Sequence, residues 1–266
     1  MGASELERIY ATLSVQADAV HRVGWRDRLQ QSTYFAALVE IGVRDDSSVL
    51  DVGCGHGDLY AFLDAQGFRG RYTGVDLSPE LVASARERFP TARFVLGDVL
   101  ESALDAHDYV LASGLFDYRT SDSPVRLRAT LRRMFALARL GLAWNMFAVA
   151  PPGRSDLYHE PLSDLLAFCD ELTPFFSLRR DYDPSHLTFY LYQRDFFMTD
   201  GLVRLIGRLY LEPALGADVK RDPARFVQEY GVTFQQLNVV AGLLEAQPTL
   251  TPQGNHSSTQ RKSPIL

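Results

Sequence analysis

The sequence predicts an α/β protein built on a doubly wound, mostly parallel β-sheet, and two observations carry this prediction. Between residues 48 and 140, short apolar runs alternate with amphipathic stretches of helical period. Parallel strands joined by right-handed helical crossovers require this order. Two more strands then follow with only four residues between them, a link so short that the pair must be antiparallel. We expect seven strands, with helices on both faces and an antiparallel last strand.

The individual elements are predicted from the period of the apolar residues and from turn and capping residues. The strands are expected at residues 49–52, 72–76, 93–96, 109–113, 141–149, 177–182 and 187–193. One helix opens at Ser78 and Pro79, because serine caps a helix and proline suits its first turn. A later helix carries the apolar face Leu127, Leu131, Met134, Phe135 and Ala138, and another covers residues 164–172.

Four parts are expected along the chain. Residues 1–45 form N-terminal helices that cap the binding site, residues 46–194 form the sheet domain, residues 195–246 a helical appendage, and residues 247–266 a disordered tail. In the appendage, Asp222 and Pro223 open a helix that Gly231 closes, and Thr233 with Gln236 makes a capping box. The apolar stripes of these helices must pack on something, so a homodimer through them is one option.

Composition excludes several classes of protein. The 266 residues carry a formal net charge of −6, which disfavours a nucleic-acid substrate because such binding needs a concentrated positive surface. No run of 18 apolar residues occurs, so no membrane association is expected. Glu5 and Glu7 stand where a signal peptide would be basic and then apolar. The two cysteines, Cys54 and Cys169, are too few for a disulfide framework, and we expect a cytoplasmic protein.

A glycine-rich turn follows the first predicted strand directly. Gly53, Gly55 and Gly57 let the backbone approach a ligand closely, with free amide groups and a helix N-terminus nearby. A dinucleotide fingerprint would place a third glycine where this chain has Asp58, which counts against NAD or FAD. Asp51, at the end of the strand, would repel a pyrophosphate and attract an α-ammonium group. The turn therefore favours a cofactor that carries an amino acid.

Polar residues also end the next three strands. Asp76 ends the second strand, where a carboxylate can accept hydrogen bonds from both ribose hydroxyls, a feature that would fit NAD equally well. Asp98 ends the third strand, where it can accept from the exocyclic amine of adenine while Val99 packs against the ring. Ser113 and Gly114 end the fourth strand, beside the switch in strand order where ligands bind. No metal site is predicted.

These motifs resemble a known family. V-L-D-V-G-C-G-H-G, G-V-D-L-S, F-V-L-G-D-V and the antiparallel last strand are similar to the class I S-adenosylmethionine-dependent methyltransferases, over about residues 20 to 194. Gly24-Trp25, Ala112 to Phe116, Trp144-Asn145 and Thr188 to Tyr192 resemble a bacterial subgroup of unassigned substrate. The resemblance implies a Rossmann-like fold, S-adenosylmethionine as cofactor and a small-molecule or peptide acceptor.

The resemblance also implies roles for individual residues. Asp51, Gly53, Cys54 and Gly55 would line the methionine end of the cofactor, Asp76 and Leu77 the ribose, Asp98 and Val99 the adenine, and Ser113 the neighbourhood of the sulfonium, while Trp25 would close the cofactor from above. Plain packing of the N-terminal helices explains Trp25 equally well.

Methyl transfer from a sulfonium is an in-line displacement, so alignment and exclusion of water matter more than a base. His159 and Tyr158, neighbours in the connection after the fifth strand, are the two catalytic candidates, with His159 as the base if one is used. His56 is expected to support the glycine turn, and His186 to be exposed at the start of a strand. The six arginines from 119 to 139 are expected to form a solvated helix face, although they could attract an acidic acceptor.

Two alternative functions remain. Residues 222–233 resemble the helical leader modules of modified ribosomal peptides, and the tail at 249–266 follows at once, so the enzyme could methylate its own tail in cis. A non-catalytic, cofactor-binding scaffold is the other alternative. Intact Asp51, Asp76 and Asp98 argue against the scaffold.

Overall fold

A computed structural model of the chain describes residues 26–149, 153–193, 197–234, 236–238 and 240, together with residues 5, 8 and 9. The chain divides into two compact units, Met1–Phe196 and Phe197–Leu266. The predictions for Trp25, for most of the N-terminal helices and for the C-terminal tail lie outside the described residues. Within the described part of the chain, no helix combines the length and the apolar character that crossing a bilayer requires.

The first unit is a helix-covered sheet. Its elements are α1 (Arg28–Val39), β1 (Val49–Val52), α2 (Asp58–Ala65), β2 (Tyr72–Asp76), α3 (Pro79–Arg88), β3 (Arg93–Leu96), β4 (His107–Ala112), α4 (Ser123–Leu137), β5 (Ala138–Phe147), α5 (Leu162–Leu172), β6 (Phe176–Arg179) and β7 (His186–Tyr192). The strand order is β3-β2-β1-β4-β5-β7-β6. All pairs are parallel except β5 with β7 and β6 with β7. The predicted fold class is therefore confirmed.

Some strand bounds differ from the sequence prediction. β4 and β5 begin earlier than expected because His107 pairs with Ala138, so β5 starts directly where α4 ends. β6 stops at Arg179, where the Arg179 guanidinium donates to the Asp181 carboxylate (2.7 Å) as the chain leaves the sheet. Periodicity shows which residues are apolar, but it does not show where a neighbouring strand begins or ends.

The core on one face of the sheet is built around β5 and β7. Trp144 and Phe189 face each other across this antiparallel pair, and their rings stack with centroids 4.6 Å apart. Both side chains are fully buried. Helix α4 adds Leu127 and Met134 to the same cluster. Burial of this many large apolar side chains is the main source of stability for the unit.

The other face of the sheet is covered by α1. The hydroxyl of Tyr190 on β7 donates to the carbonyl of Ala37 (2.6 Å), and the Tyr34 side chain lies buried on the same helix. Asp27 caps the helix by accepting from the amide of Gln30 (2.8 Å). This docking brings a helix near the start of the unit against the last long strand.

β2 supports the glycine turn from below. The amides of Gly53 and Cys54 both donate to the carbonyl of Val75, at 2.8 and 3.2 Å. A Cβ atom on Gly74 of β2 would lie 2.7 Å from the Cys54 sulfur and 2.9 Å from the Phe94 ring. Real Cβ atoms almost never make such contacts, so only glycine at position 74 lets the turn lie against the strand.

The second unit contains α6 (Asp200–Leu211), α7 (Leu215–Arg221) and α8 (Pro223–Tyr230). The predicted capping box is confirmed, because Gln236 and Thr233 exchange hydrogen bonds between side chain and backbone at 2.7 and 3.1 Å. Gly231 closes α8 in the left-handed conformation, with φ of 64°, also as predicted.

Two glycine-to-alanine changes should have opposite effects on stability. Gly74→Ala should destabilise the protein by about 1 to 3 kcal/mol, because the added methyl group overlaps Cys54 and Phe94. Gly207→Ala lies on an exposed stretch of α6 with open space around it, and should stabilise by about 0.5 to 1 kcal/mol. Denaturant unfolding of both variants measures this, and equal effects at the two positions would contradict the packing described for the turn.

Candidate functional site

Two cavities open at the carboxyl edge of the sheet, beside the change in strand order between β1 and β4. The larger, of about 740 Å³, is lined among others by Gly53, Asp76, Leu77, Asp98, Val99, Leu115 and Tyr158. The smaller, of about 500 Å³, is lined among others by Asp51, Gly53, Cys54, Gly55, Asp76, Ser113 and Leu115. The structure thus brings together every described residue expected to bind the cofactor. Of the two catalytic candidates, Tyr158 lines the larger cavity and His159 lines neither.

Asp51 is the most deeply buried of the acids, with 3% of its surface exposed. Its carboxylate accepts a 2.5 Å hydrogen bond from the hydroxyl of Tyr72, a residue on the adjacent strand that the sequence did not single out. Burial raises the pKa of Asp51 to about 7, with smaller contributions from the nearby Asp76 and Asp58 charges and against the opposing effect of the Tyr72 hydrogen bond. A positively charged ligand group would relieve this destabilised charge.

Asp76 is oriented by the backbone. Its two oxygens accept from the amides of Gly55 and Ser78, both at 2.9 Å, so the carboxylate also ties the glycine turn to the end of β2. Burial raises the pKa of Asp76 despite these hydrogen bonds. A carboxylate can accept about four hydrogen bonds. Two of these acceptor sites on the Asp76 carboxylate therefore stay available for the vicinal hydroxyls of a ribose.

Asp98 is held by an ion pair. One oxygen accepts from the amide of Leu100 (3.0 Å), and the other from the guanidinium of Arg126 at 2.7 Å. Both side chains are largely buried, and Arg126 itself lines the larger cavity. Arg126 was expected on a solvated helix face, and periodicity does not reveal its pairing with Asp98 because the two residues are 28 positions apart.

Ser113 and Gly114, after β4, are fixed by a buried amide on β5. The side-chain oxygen of Asn145 accepts from the Gly114 amide (3.1 Å), and the Asn145 and Ser113 side chains also bond to each other. Asn145 is 1% exposed. Its role is thus to hold the loop that separates the two cavities.

The hydroxyl of Tyr158 is already engaged. It donates to the buried carboxylate of Glu160, which also pairs with Arg128 at 2.6 Å. Burial raises the pKa of Tyr158. His159 is partly buried, and its Nδ1 has no hydrogen-bond partner among the described residues. Tyr158 is therefore placed to shape the cavity wall, whereas a nitrogen of His159 is left unpaired.

The expectation that His186 is exposed is wrong, because only 4% of its surface is accessible. The ring lies against Phe147 with centroids 4.0 Å apart, and its Nδ1 is 2.8 Å from the Tyr34 hydroxyl. Helix α1, far away in sequence, covers the start of β7 and excludes water there. Periodicity along β7 alone could not reveal this cover.

The arginines between 119 and 139 are mostly paired. Arg126, Arg128, Arg132 and Arg139 make ion pairs with Asp98, Glu160, Glu171 and Asp108, respectively. Arg126 departs from the expected solvated face, since only 17% of its side chain is exposed. Within the described residues, no group of three or more His, Cys, Asp or Glu side chains could hold a metal ion.

A Rossmann-like sheet that carries carboxylates at the ends of its first three strands, and ends in an antiparallel pair, defines the class I methyltransferase fold. Residues 49–139 match the model of a family described as a methyltransferase domain. A protein of Mycobacterium tuberculosis named as a methyltransferase, Rv1506c, is 34% identical over 137 residues, which cover 48% of this chain and 82% of that protein. The chain belongs to this methyltransferase family.

Two further comparisons have a narrower reach. Trans-aconitate 2-methyltransferase of Escherichia coli is 36% identical over 72 residues, which cover 26% of this chain and 29% of that enzyme. The 1,6-didemethyltoxoflavin-N1-methyltransferase of Burkholderia thailandensis, in complex with S-adenosylhomocysteine and 1,6-didemethyltoxoflavin, has a similar fold with a TM-score of 0.53. It is 23% identical, and the match covers 72% of this chain and 86% of that one. S-adenosylmethionine is the cofactor of this chain.

Asp51 should make the ligand-free protein less stable at alkaline pH. Its folded-state pKa lies above the unfolded value, so stability contributed by the protonated form is lost as pH rises from about 4 through 7. Asp51→Asn, which keeps an oxygen for Tyr72, should raise the free energy of unfolding at pH 8 by about 1 to 3 kcal/mol. The same change should have little effect at pH 4.

Thermal unfolding of the ligand-free protein at both pH values measures this difference. Each kcal/mol should shift the melting temperature by about 2 to 4 °C. A melting temperature at pH 8 that is lower in the variant than in the wild type would show that the Asp51 charge is not destabilised.

Proposed function

We propose that the chain transfers the methyl group of S-adenosylmethionine to a small-molecule or peptide acceptor, with the donor lying across both cavities. The observation that carries this proposal is their shared wall. Gly53, Asp76 and Leu115 line both cavities, so an elongated ligand can place an amino-acid end in the smaller and a nucleoside in the larger. The acidic edge favours a donor with an ammonium and a sulfonium charge.

The chemistry of the lining residues assigns the parts of the donor. In this proposal Asp51, Gly53, Cys54 and Gly55 hold the methionine end, Asp76 and Leu77 the ribose, Asp98 and Val99 the adenine, and Ser113 lies near the sulfonium. Burial raises the pKa of the Cys54 thiol well above its usual value, so Cys54 packs as a neutral side chain. The predicted cover by Trp25 stays a prediction.

The residues of this chain contribute alignment and exclusion of water. S-adenosylmethionine supplies an activated methyl group, so the barrier depends mainly on bringing the acceptor atom in line with it. Phe116 and Tyr158 form apolar wall, and the Glu160 carboxylate fixes the Tyr158 ring by its hydrogen bond. We propose His159, whose Nδ1 is unpaired, to relay a proton where the acceptor loses one.

The relatives do not supply the acceptor. The match to trans-aconitate 2-methyltransferase spans 72 residues and less than a third of that enzyme. Similar cofactor-binding halves serve many acceptors, because the acceptor is chosen by loops outside the sheet. The acceptor must therefore be inferred from the side chains beyond the donor.

Calorimetric titration with S-adenosylhomocysteine tests the proposed site. Asp76→Ala should weaken binding by about 1 to 3 kcal/mol, because the ribose hydroxyls and the Gly55 amide lose their acceptor. Asp76→Asn keeps one accepting oxygen, so its affinity for S-adenosylhomocysteine should lie between those of the wild type and Asp76→Ala. Asp105→Ala, which removes an exposed carboxylate paired with Arg93, should bind like the wild type.

No binding of S-adenosylhomocysteine at millimolar concentration would contradict the proposed function and leave the scaffold alternative. Binding that is unchanged in Asp76→Ala would remove Asp76 from the site. Circular dichroism of each variant separates a lost contact from a lost fold.

Affinity for S-adenosylhomocysteine should also fall with pH. The ligand ammonium favours ionised Asp51, and a carboxyl with a pKa of about 7 is mostly protonated at pH 6. We expect binding about three- to tenfold weaker at pH 6 than at pH 8, with proton release on binding. Asp51→Asn should bind weakly at both pH values. A wild-type affinity that is constant from pH 6 to 8 would show that Asp51 does not face the ammonium group.

A further inference from the structure

The smaller cavity at the edge of the sheet is acidic. Its wall carries the carboxylates of Asp51, Asp58 and Asp76, and no arginine or lysine of the described residues lines it. In the proposed function this cavity receives the amino-acid end of the donor, which has an α-carboxylate as well as an ammonium group. A ligand carboxylate beside these acids is repelled unless hydrogen-bond donors of the protein stabilise it. The wall must therefore supply such donors.

The glycine turn offers few of them. The amides of Gly53 and Cys54 donate to the neighbouring strand β2, at 2.8 and 3.2 Å. The Gly55 amide donates to the Asp76 carboxylate, and the Gly57 amide to the Cys54 carbonyl, both at 2.9 Å. The expectation of free amides in the turn is therefore wrong for these four positions. The glycines let a ligand approach closely, but their amides are already engaged.

The polar side chains near the turn are also engaged. The Ser113 hydroxyl bonds to the side chain of Asn145 at 3.3 Å. The Nδ1 of His56 lies 2.9 Å from the hydroxyl of Ser84, and its Nε2 is buried. The thiol of Cys54 is at best a weak hydrogen-bond donor. A strong donor for the ligand carboxylate must therefore come from another part of the wall.

Gln31 of α1 supplies the donor. It lines the smaller cavity and is 7% exposed. Its Nε2 donates to one oxygen of Asp58 at 3.2 Å, while Arg88 donates to the other oxygen at 2.7 Å. Because a carboxylate only accepts hydrogen bonds, this contact fixes which end of the Gln31 amide faces Asp58. The amide nitrogen carries two N–H groups, so the second is available to a ligand.

Helix α1 holds Gln31 beside the glycine turn. Gln31 and Phe35 are four residues apart and therefore share one face of the helix, and both line the smaller cavity. The helix is docked on the sheet unit, because the Tyr34 hydroxyl donates to the Asp183 carboxylate at 2.9 Å. A donor fixed in this way binds an anion with little loss of side-chain entropy.

We propose that Gln31 binds the α-carboxylate of the donor through its second N–H, and that it selects S-adenosylmethionine over donors that lack this carboxylate. The inference rests on the proposed function, in which Asp51 receives the ammonium group. A hydrogen bond to a carboxylate is charge-assisted and therefore stronger than one between neutral groups. Gln31 is then a specificity residue that lies outside the glycine turn and the strand ends.

Calorimetric titration of the full chain with two ligands tests the proposal. S-adenosylhomocysteine and its decarboxylated form, S-adenosyl-3-thiopropylamine, share the nucleoside and the ammonium group and differ in the α-carboxylate. Gln31→Leu should bind S-adenosylhomocysteine about ten- to a hundredfold more weakly, and the decarboxylated ligand within about twofold of the wild type. Gln31→Glu should weaken S-adenosylhomocysteine at least as much, because it adds a repelling carboxylate, but should not weaken the decarboxylated ligand.

Gln30→Leu is the matched control. Gln30 is the neighbouring residue on α1 and lines neither cavity, so this variant should bind both ligands like the wild type. Equal weakening of both ligands in Gln31→Leu would overturn the proposal, since Gln31 would then act on the ammonium group or on the fold. Unchanged affinity for S-adenosylhomocysteine in Gln31→Leu or Gln31→Glu would overturn it as well.

The same titrations separate this inference from the proposed function. If the wild type does not bind S-adenosylhomocysteine at millimolar concentration, the proposed function fails together with the inference. If the wild type binds and the Gln31 variants do not distinguish the two ligands, only the role of Gln31 fails.

Discussion

Desolvation of acidic side chains at the carboxyl edge of the sheet is the constraint on which the rest of the structure depends. Asp51 is buried and Asp76 and Asp117 are partly buried, and burial raises the pKa of all three. An unneutralised buried charge costs more free energy than most packing interactions return. The fold must therefore either supply hydrogen-bond donors to these groups or leave them for a ligand.

Backbone amides supply most of the donors, which explains why the turn is so rich in glycine. Asp76 accepts from the turn and from the start of α3, so one carboxylate fixes the relative position of β1, β2 and the helix that follows. The turn can reach Asp76 only because Gly74 leaves room for Cys54 above β2. Cofactor binding and local stability thus depend on the same few atoms.

The features that could be predicted from sequence are those whose cause is local. Asp51 and Asp76 end strands that are readable from short apolar runs, and Ser78 and Thr233 cap helices with partners three residues away. The parallel pairing of most strands follows from the same alternation of strands and helices. The strand ends alone also predict which residues would hold the ribose and the adenine.

The missed features join distant segments. Arg126 meets Asp98 across 28 residues, Tyr72 meets Asp51 across 21, and Tyr34 covers His186 across 152. Apolar periodicity assigns a face to each element, but it does not say which polar side chain of another element meets that face. His186 was expected to be exposed for this reason.

The same difference between local features and distant contacts separates the methyl donor from the methyl acceptor. Most of the residues proposed to bind the methyl donor lie in contiguous motifs, because strand ends and turns of one sheet can hold a nucleoside and most of an amino acid. The acceptor cannot be predicted from these motifs, since loops outside the sheet select it. Packing does not explain why the Oδ1 of Asp117, in the loop after β4, has no hydrogen-bond partner among the described residues, since an apolar residue there would be more stable. Loops of this kind lie outside the strand ends and turns, so the motifs that identify the donor do not identify the acceptor.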